Sequence, residues 1–310
     1  MMQIFHSIDE YSRAAQTDSR LSRPAAVTPG KFDGVHRGHQ KLLRKITEQK
    51  QTRGCSALVF AIDVNPSGIL SAQEREEYLC RMGIDVLVEC PLSDTLMHMS
   101  PDIFIRQVLK ETFHTAYIAV GTDYRFGFRR AGTPQLLLDM QQRYDFAAEV
   151  IGKELYLGEE ISSTRVREAL LEGRMKLVRE LLGRPYPVSG TVLHGKKIGR
   201  TIGFPTLNQI PPESKLLPPD GVYASFVTDE HGTRMRGVTN IGTNPTVGGT
   251  QRSVETYLLD AAGDFYDRRI RTDLICRQRG EMKFDSLSAL QSQMEKDKEQ
   301  AKLLLDADED

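Results

Sequence analysis

The chain has 310 residues, 39% of them hydrophobic and 27% charged, with a formal net charge of −1. That length fits about two domains, and the composition supports ordinary packed cores under a soluble surface. The near-neutral balance argues against a nucleic-acid partner, and no apolar run reaches the roughly 18 residues of a membrane span. The four cysteines, Cys55, Cys80, Cys90 and Cys276, form no CxxC pair and no metal-ligand spacing. They read as reduced core thiols, and the opening MMQIFHSIDEYSR has no basic n-region, so a cytoplasmic protein is expected.

In the first half, short β-branched or apolar runs at 25–28, 56–63, 85–90, 115–121 and 147–151 alternate with helix-like stretches near 37–52, 72–83, 101–113 and 132–143. Ser100-Pro101 supplies a capping hydroxyl followed by proline at the first helical position. Such alternation predicts a parallel sheet with helices on its faces and ligands outside the carboxyl ends of the strands. Two short helical patterns follow over 163–182, separated by Gly173 and closed by Gly183. RPYPVSG (184–190) reads as a linker or the first turn of a new unit, which places the domain boundary at 183/184. Beyond it, runs at 189–194, 221–227, 236–240, 253–260 and 270–276, broken by Gly, Pro and Asn, predict an antiparallel barrel. From Ser286 the tail is helical, with Leu287, Leu290, Met294, Ala301 and Leu304 able to line one face.

PGKFDGVHRGHQ (29–40) stands where the first of these strands ends and a helix begins. Gly30 and Gly34 allow close backbone approach to a ligand, and the helix start offers free N–H groups to phosphate. His36 and His39, three apart, can share a face of the first turn and donate to phosphate oxygens. A lone HxxH could equally be a surface pair or half of a zinc site, but no Cys/His cluster supplies further zinc ligands. The segment resembles the (H/T)xGH signature of the nucleotidyltransferase superfamily, in the form seen in prokaryotic FAD synthetases. VGTDYRFGFRRAGT (120–133) and ISSTRVREAL (161–170) resemble two further signatures of that family. The resemblance implies that Gly30, Phe32, Asp33, Gly34, His36 and His39 hold ATP and its phosphates and that Asp123 lines the nucleotide site. It also implies that Ser163, Thr164 and Arg167 bind the triphosphate. Two departures stand out: IDVNP (62–66) in place of the family's FDPHP, and Glu160 where many members have a basic residue.

GKKIGRTIGFPTLN (195–208) is glycine-rich and basic but is not a P-loop, since GxxxxGK[ST] is absent. On a strand, Thr206 and Asn208 would face the same side, and a hydroxyl with an amide oxygen suits a hard cation such as Mg²⁺. The segment resembles the GRxxGFPTAN signature of riboflavin kinases, with Leu207 in place of alanine. GVYASF, GVTNIGTNPTVGG, VETYLLD, GDFYD and RGEMKFDSL follow in the family's order. The resemblance implies that Gly195, Gly199, Arg200 and Gly203 line the ATP and flavin site and that Thr206 and Asn208 coordinate Mg²⁺. It makes Glu255 the general base on the ribityl 5′-hydroxyl and places Arg279 against flavin or the product phosphate.

The whole is identified as a member of the bifunctional FAD synthetase family: an α/β nucleotidyltransferase domain over 1–183 and a β-barrel riboflavin kinase domain with a C-terminal helix over 184–310. The resemblance implies that riboflavin, FMN and ATP are the substrates and that Mg²⁺ accompanies ATP. No nucleic acid, no membrane and only weak self-association are expected. Two alternatives stay open: a kinase with an impaired adenylyltransferase half, and a non-catalytic flavin or nucleotide sensor.

Overall fold

The computed structural model describes residues 2–63, 67–91, 93–194, 205–243, 251–259, 261 and 263–309. They form two compact units, Met1–Pro66 with Arg75–Ser162, and Ser67–Glu74 with Ser163–Asp310.

The first unit is built on β1 (Gln3–Phe5), β2 (Ala25–Gly30), β3 (Ser56–Asp63), β4 (Val86–Pro91), β5 (Thr115–Gly121) and β6 (Ala147–Ile151). Every neighbouring pair is parallel, in the order β1-β4-β3-β2-β5-β6. Its helices include α1 (Ile8–Ala15), α2 (Arg37–Arg53), most of α3 (Ala72–Arg81) and α4 (Asp94–His98). Strand residues Val27, Leu58, Phe60, Val88, Ile118 and Val120 are buried, as the near-continuous apolar runs of a doubly covered parallel sheet require. Chain order reverses between β2 and β5, so the switch-point crevice lies at the ends of those two strands, Gly30 and Gly121.

Three local outcomes differ from the sequence expectation. β1 and α1 stand outside the expected elements; β1, at three residues, carries too few positions to show a period. The helix expected over 101–113 is α5 (Pro101–Ile103) continued by a π-helix, Phe104–Thr112, in which Phe104, Ile105, Val108 and Leu109 are buried. The helix expected over 132–143 is two short pieces, α6 (Pro134–Asp139) and α7 (Gln141–Tyr144). A hairpin of β7 (Leu155–Tyr156) and β8 (Glu159–Glu160) completes the unit.

The second unit opens with α8 (Ser163–Leu171) and α9 (Met175–Leu182); α9 packs on the sheet below, although the sequence reading grouped 163–182 with the first half. Six antiparallel strands follow: β9 (Tyr186–Thr191), β10 (Thr206–Gln209), β11 (Gly221–Thr228), β12 (Arg234–Thr243), β13 (Arg252–Leu258) and β14 (Arg269–Arg279). Their order is β10-β13-β12-β11-β14-β9. The end strands meet: Leu193 N–H donates to the Asn208 carbonyl at 2.8 Å, and the Gln209 amide donates to carbonyls of Val188, Gly190 and Ile270. Inside lie Val192, Val227, Leu258 and Ile270, and a buried hydroxyl ladder runs Ser225–Thr239–Thr256 at 2.7 and 2.8 Å. Outside, α10 (Leu287–Glu309) buries Ala301 and Leu305 against Ala224, Phe226 and Ile275. Leu287, expected on that buried face, is 63% exposed because it opens the helix beyond the sheet contact.

Candidate functional site

The first candidate site grows from the end of β2. Between Gly30 and α2 the backbone enters the left-handed region at Phe32 (φ 48°), Gly34 (φ 77°) and Val35 (φ 43°). For a β-branched residue such as Val35 that geometry is strained, and such strain concentrates at functional loops. The side chains of Phe32 and Val35 are fully buried and hold the loop in place. Gly30 makes room for the Phe32 ring, since a methyl there would sit 3.1 Å from it.

His36 is the N-cap of α2: the backbone N–H of His39 donates to its Nδ1 at 3.4 Å. In its neutral form His36 therefore carries its proton on Nε2. Gly38 leaves space for this, because a methyl would lie 3.2 Å from the His36 ring. The two imidazoles stack at 3.8 Å between centroids, and Phe32 flanks His39 at 5.0 Å. Burial first, and then the neighbouring His36, hold His39 well below the ordinary imidazole range. Its Nδ1 is buried without a hydrogen-bond partner among the described residues. So are Thr28 Oγ1 on β2 and Tyr124 Oη just beyond β5. Buried polar atoms left without partners are costly, and these three belong to β2, to the first turn of α2 and to the segment just after β5.

From the β5 side comes Asp123, 71% exposed at its side chain. Lys153 Nζ lies 3.3 Å from Asp123 and 2.5 Å from Glu160. Glu160, the acidic departure from the family pattern, is thus matched by a lysine seven residues before it, and the reading of the sequence missed Lys153 for want of any motif around it. Arg37 and Lys41 on the first turns of α2 pair with Glu154 at 3.0 and 2.7 Å. Asn65 and Val64 lie outside the described residues.

In the second unit Ser163, Thr164 and Arg167 occupy the first two turns of α8; Ser163 and Arg167 are half-buried and Thr164 is exposed. The Arg167 guanidinium donates to the carbonyl of Ser67.

The second candidate site lies on the outer face of the barrel sheet. Asn208 on β10, Glu255 on β13 and Asn240 on β12 stand in register, side by side across three strands. Residues so paired point to the same face with Cβ atoms about 5 Å apart. The Asn208 amide reaches the carbonyl of Thr206 at 3.3 Å and its hydroxyl at 3.5 Å, so these two side chains meet as their spacing predicted. Ser253 donates to Glu255 Oε1 at 3.3 Å. Asn240 and Ser253 were absent from the sequence reading; cross-strand register, which a sequence does not display, brings them beside Glu255. Arg279 belongs to the same row through Val222. Its guanidinium clasps the buried carboxylate of Asp297 on α10 with contacts of 2.6, 3.0 and 3.2 Å. Gly195, Gly199, Arg200 and Gly203 lie outside the described residues.

No group of three or more metal-ligating His, Cys, Asp or Glu side chains occurs among the described residues. Thr206 and Asn208 offer neutral hard oxygens, which suits Mg²⁺ arriving with nucleotide phosphates rather than a resident, protein-caged ion.

The family model described as FAD synthetase matches residues 18–165, and the one described as riboflavin kinase matches residues 182–305. The bifunctional riboflavin kinase/FMN adenylyltransferase of Escherichia coli (strain K12) is 35% identical over 308 residues, covering 96% of each chain. The protein of that name from Haemophilus influenzae is 33% identical over 300 residues, covering 94% of this chain and 97% of its own. A crystal structure named as a macrolide-efflux protein from Streptococcus pneumoniae is 29% identical with a TM-score of 0.80, covering 90% of this chain and 94% of that one. No described helix of the present chain is long and apolar enough to cross a membrane.

Proposed function

The chain belongs to the bifunctional riboflavin kinase/FMN adenylyltransferase family, and on that premise we propose that it makes FMN from riboflavin and ATP, and then FAD from FMN and a second ATP. The observation that carries the reading is the in-register row Asn208–Glu255–Asn240 in one unit together with the His36–His39 stack at a strand end in the other.

In the kinase step Glu255 orients the ribityl 5′-hydroxyl and takes its proton as the oxygen attacks the γ-phosphorus of ATP. Ser253, by donating to Oε1, helps to fix the carboxylate rotamer. Thr206 and Asn208 would hold Mg²⁺, which when bound neutralises charge on the phosphates. Gly195, Gly199, Gly203 and Arg200 are proposed to bind ATP and flavin, and Arg279 to act at the flavin end of the row.

In the adenylyltransferase step an FMN phosphate oxygen attacks the α-phosphorus of ATP and pyrophosphate leaves. The substrate brings its own nucleophile, so the residues need only position and stabilise charge. His36 and His39 are proposed as donors to phosphate oxygens, with the unpartnered Nδ1 of His39 gaining a partner on binding. Gly30, Phe32, Asp33 and Gly34 shape the loop, and Asp123, steadied by Lys153, lines the nucleotide site. Ser163, Thr164 and Arg167 are proposed as triphosphate ligands. Residues 1–183 are assigned to this step and 184–310 to the kinase step.

The test is chromatographic. Purified protein with riboflavin and MgATP should yield FMN first and FAD after a lag, with ADP and pyrophosphate as co-products. If supplied FMN and MgATP gave no FAD while riboflavin was still phosphorylated, the second activity would have to be withdrawn.

A further inference from the structure

The segment after β14 carries a carboxylate onto the face where Glu255 stands. Glu281 Oε1 lies directly over Gly242 of β12: a methyl at Gly242 would overlap that oxygen and come within 3.4 Å of Asn240 Nδ2. Gly242 pairs in register with Ser253, as Asn240 pairs with Glu255. Glu281 and Asn240 therefore flank Glu255 within one residue pair along the strands, a step of about 7 Å. Neither side chain has a hydrogen-bond or ion-pair partner among the described residues, and Glu281 is exposed. One carboxylate has its work in the phosphoryl transfer; the second, with an idle amide beside it, needs a different ligand.

Resting on the kinase reading, we propose that Glu281 and Asn240 bind the secondary hydroxyls of the ribityl chain and so select a polyhydroxylated side chain on the flavin. A carboxylate accepts from two O–H groups at once, and an asparagine amide both donates and accepts, which together match a run of adjacent secondary alcohols. A five-carbon chain whose terminal hydroxyl sits at Glu255 has the length to lay its inner hydroxyls over Asn240 and Gly242. Gly242 is small because the carboxylate needs that space. Recognition through hydroxyls is also the strong form of selectivity, since a site built to hydrogen-bond them rejects an analogue lacking them.

The experiment compares kcat/KM for phosphorylation of riboflavin and of a flavin bearing a 5-hydroxypentyl chain, which keeps the terminal hydroxyl and lacks the secondary ones. The wild type should prefer riboflavin. In Glu281→Ala the kcat/KM for riboflavin should fall about tenfold or more, mainly through KM, with the hydroxypentyl flavin unaffected. Gly242→Ala, which displaces the carboxylate without removing it, should shift the preference the same way. FMN adenylylation, measured in each variant, should be unchanged and shows that the chain is folded. An unaltered preference in Glu281→Ala, or an equal loss with both flavins, overturns the assignment. Phosphorylation of neither flavin by the wild type overturns the kinase reading itself, and the inference with it.

Discussion

Glu255 and His39 are two ionisable residues placed for opposite work. Glu255 stands on a half-buried sheet face beside Ser253, Asn208 and Asn240, where a charged carboxylate keeps polar company. Glu255→Ala should lower kcat for riboflavin phosphorylation roughly 10²–10⁴-fold while FMN adenylylation, assayed separately with supplied FMN, stays near the wild-type rate. His39 is held neutral by burial and by His36. Its folded-state pKa lies below the ordinary value of 6.5, so below that pH the unfolded chain binds the proton more readily. The stability this group contributes is complete above about pH 6.5 and is lost as pH falls through the folded value. The expected result is a melting temperature that drops on acidification from pH 7 to 5 more steeply in the wild type than in His39→Gln. Equal slopes would show that the imidazole titrates alike in both states.

Among the elements, the β7–β8 hairpin shows a local rule broken without packing to compensate. Leu157 and Gly158 form its tip with φ of 54° and 80°, and Leu157 is 82% exposed. A tight hairpin turn of that handedness favours Asn-Gly, and a leucine in the left-handed region is strained with nothing gained from burial. Leu157→Asn should raise stability by about 0.5–1 kcal/mol, read as a higher melting temperature with both activities retained. Element by element, β2–β6 and β11–β14 were legible because apolar runs and turn residues mark them, whereas β9 (Tyr186–Thr191) runs through the Pro- and Gly-bearing stretch that reads locally as a linker or turn. The π-helix was not, because the burial spacing of Phe104, Ile105, Val108 and Leu109 is shared by an ordinary helix. The loop 31–36 announced itself through its motif, with Gly34 as the local sign of a left-handed turn; the left-handed turns at Phe32 and Val35 depend on tertiary packing of two buried side chains that the sequence shows only as ordinary apolar residues.

For the whole molecule, the unexpected feature is Ser67–Glu74, which lies in the first half of the sequence yet belongs to the second unit. Gly68 bridges to the strand-like stretch at Lys215, and Tyr186 Oη donates to the carbonyl of Ile69 at 2.6 Å. Glu74 meets Lys215 at 2.6 Å with both side chains almost wholly buried, at 3% and 1% exposure. The pair is well satisfied: Glu74 also accepts from the backbone N–H groups of Ser71 and Ser189, and Lys215 also donates to Ile69 and lies over the Tyr186 ring. Breaking such a pair leaves a bare charge in the core, whereas removing both charges can be nearly neutral. Lys215→Met alone should therefore destabilise by about 3–5 kcal/mol, and Glu74→Gln combined with Lys215→Met should recover most of it in denaturant titrations. If the double variant were no better than the single, the loss would lie in packing and not in the uncompensated carboxylate.

The sequence by itself determined the two-part organisation, the strand-end loop with its two histidines and the Thr206–Leu207–Asn208 alternation, because periodicity and motif spacing act over short stretches of chain; the base role proposed for Glu255 comes from the family resemblance. Only the tertiary structure decided what stands beside them. Asn240 reaches Glu255 by strand register, Glu281 reaches Gly242 from the far end of β14, Lys153 answers Glu160 and Asp123, and residues 67–74 join a core formed mostly by the second half. Each of those placements joins residues on separate elements, and a local pattern holds no information about pairing at that range.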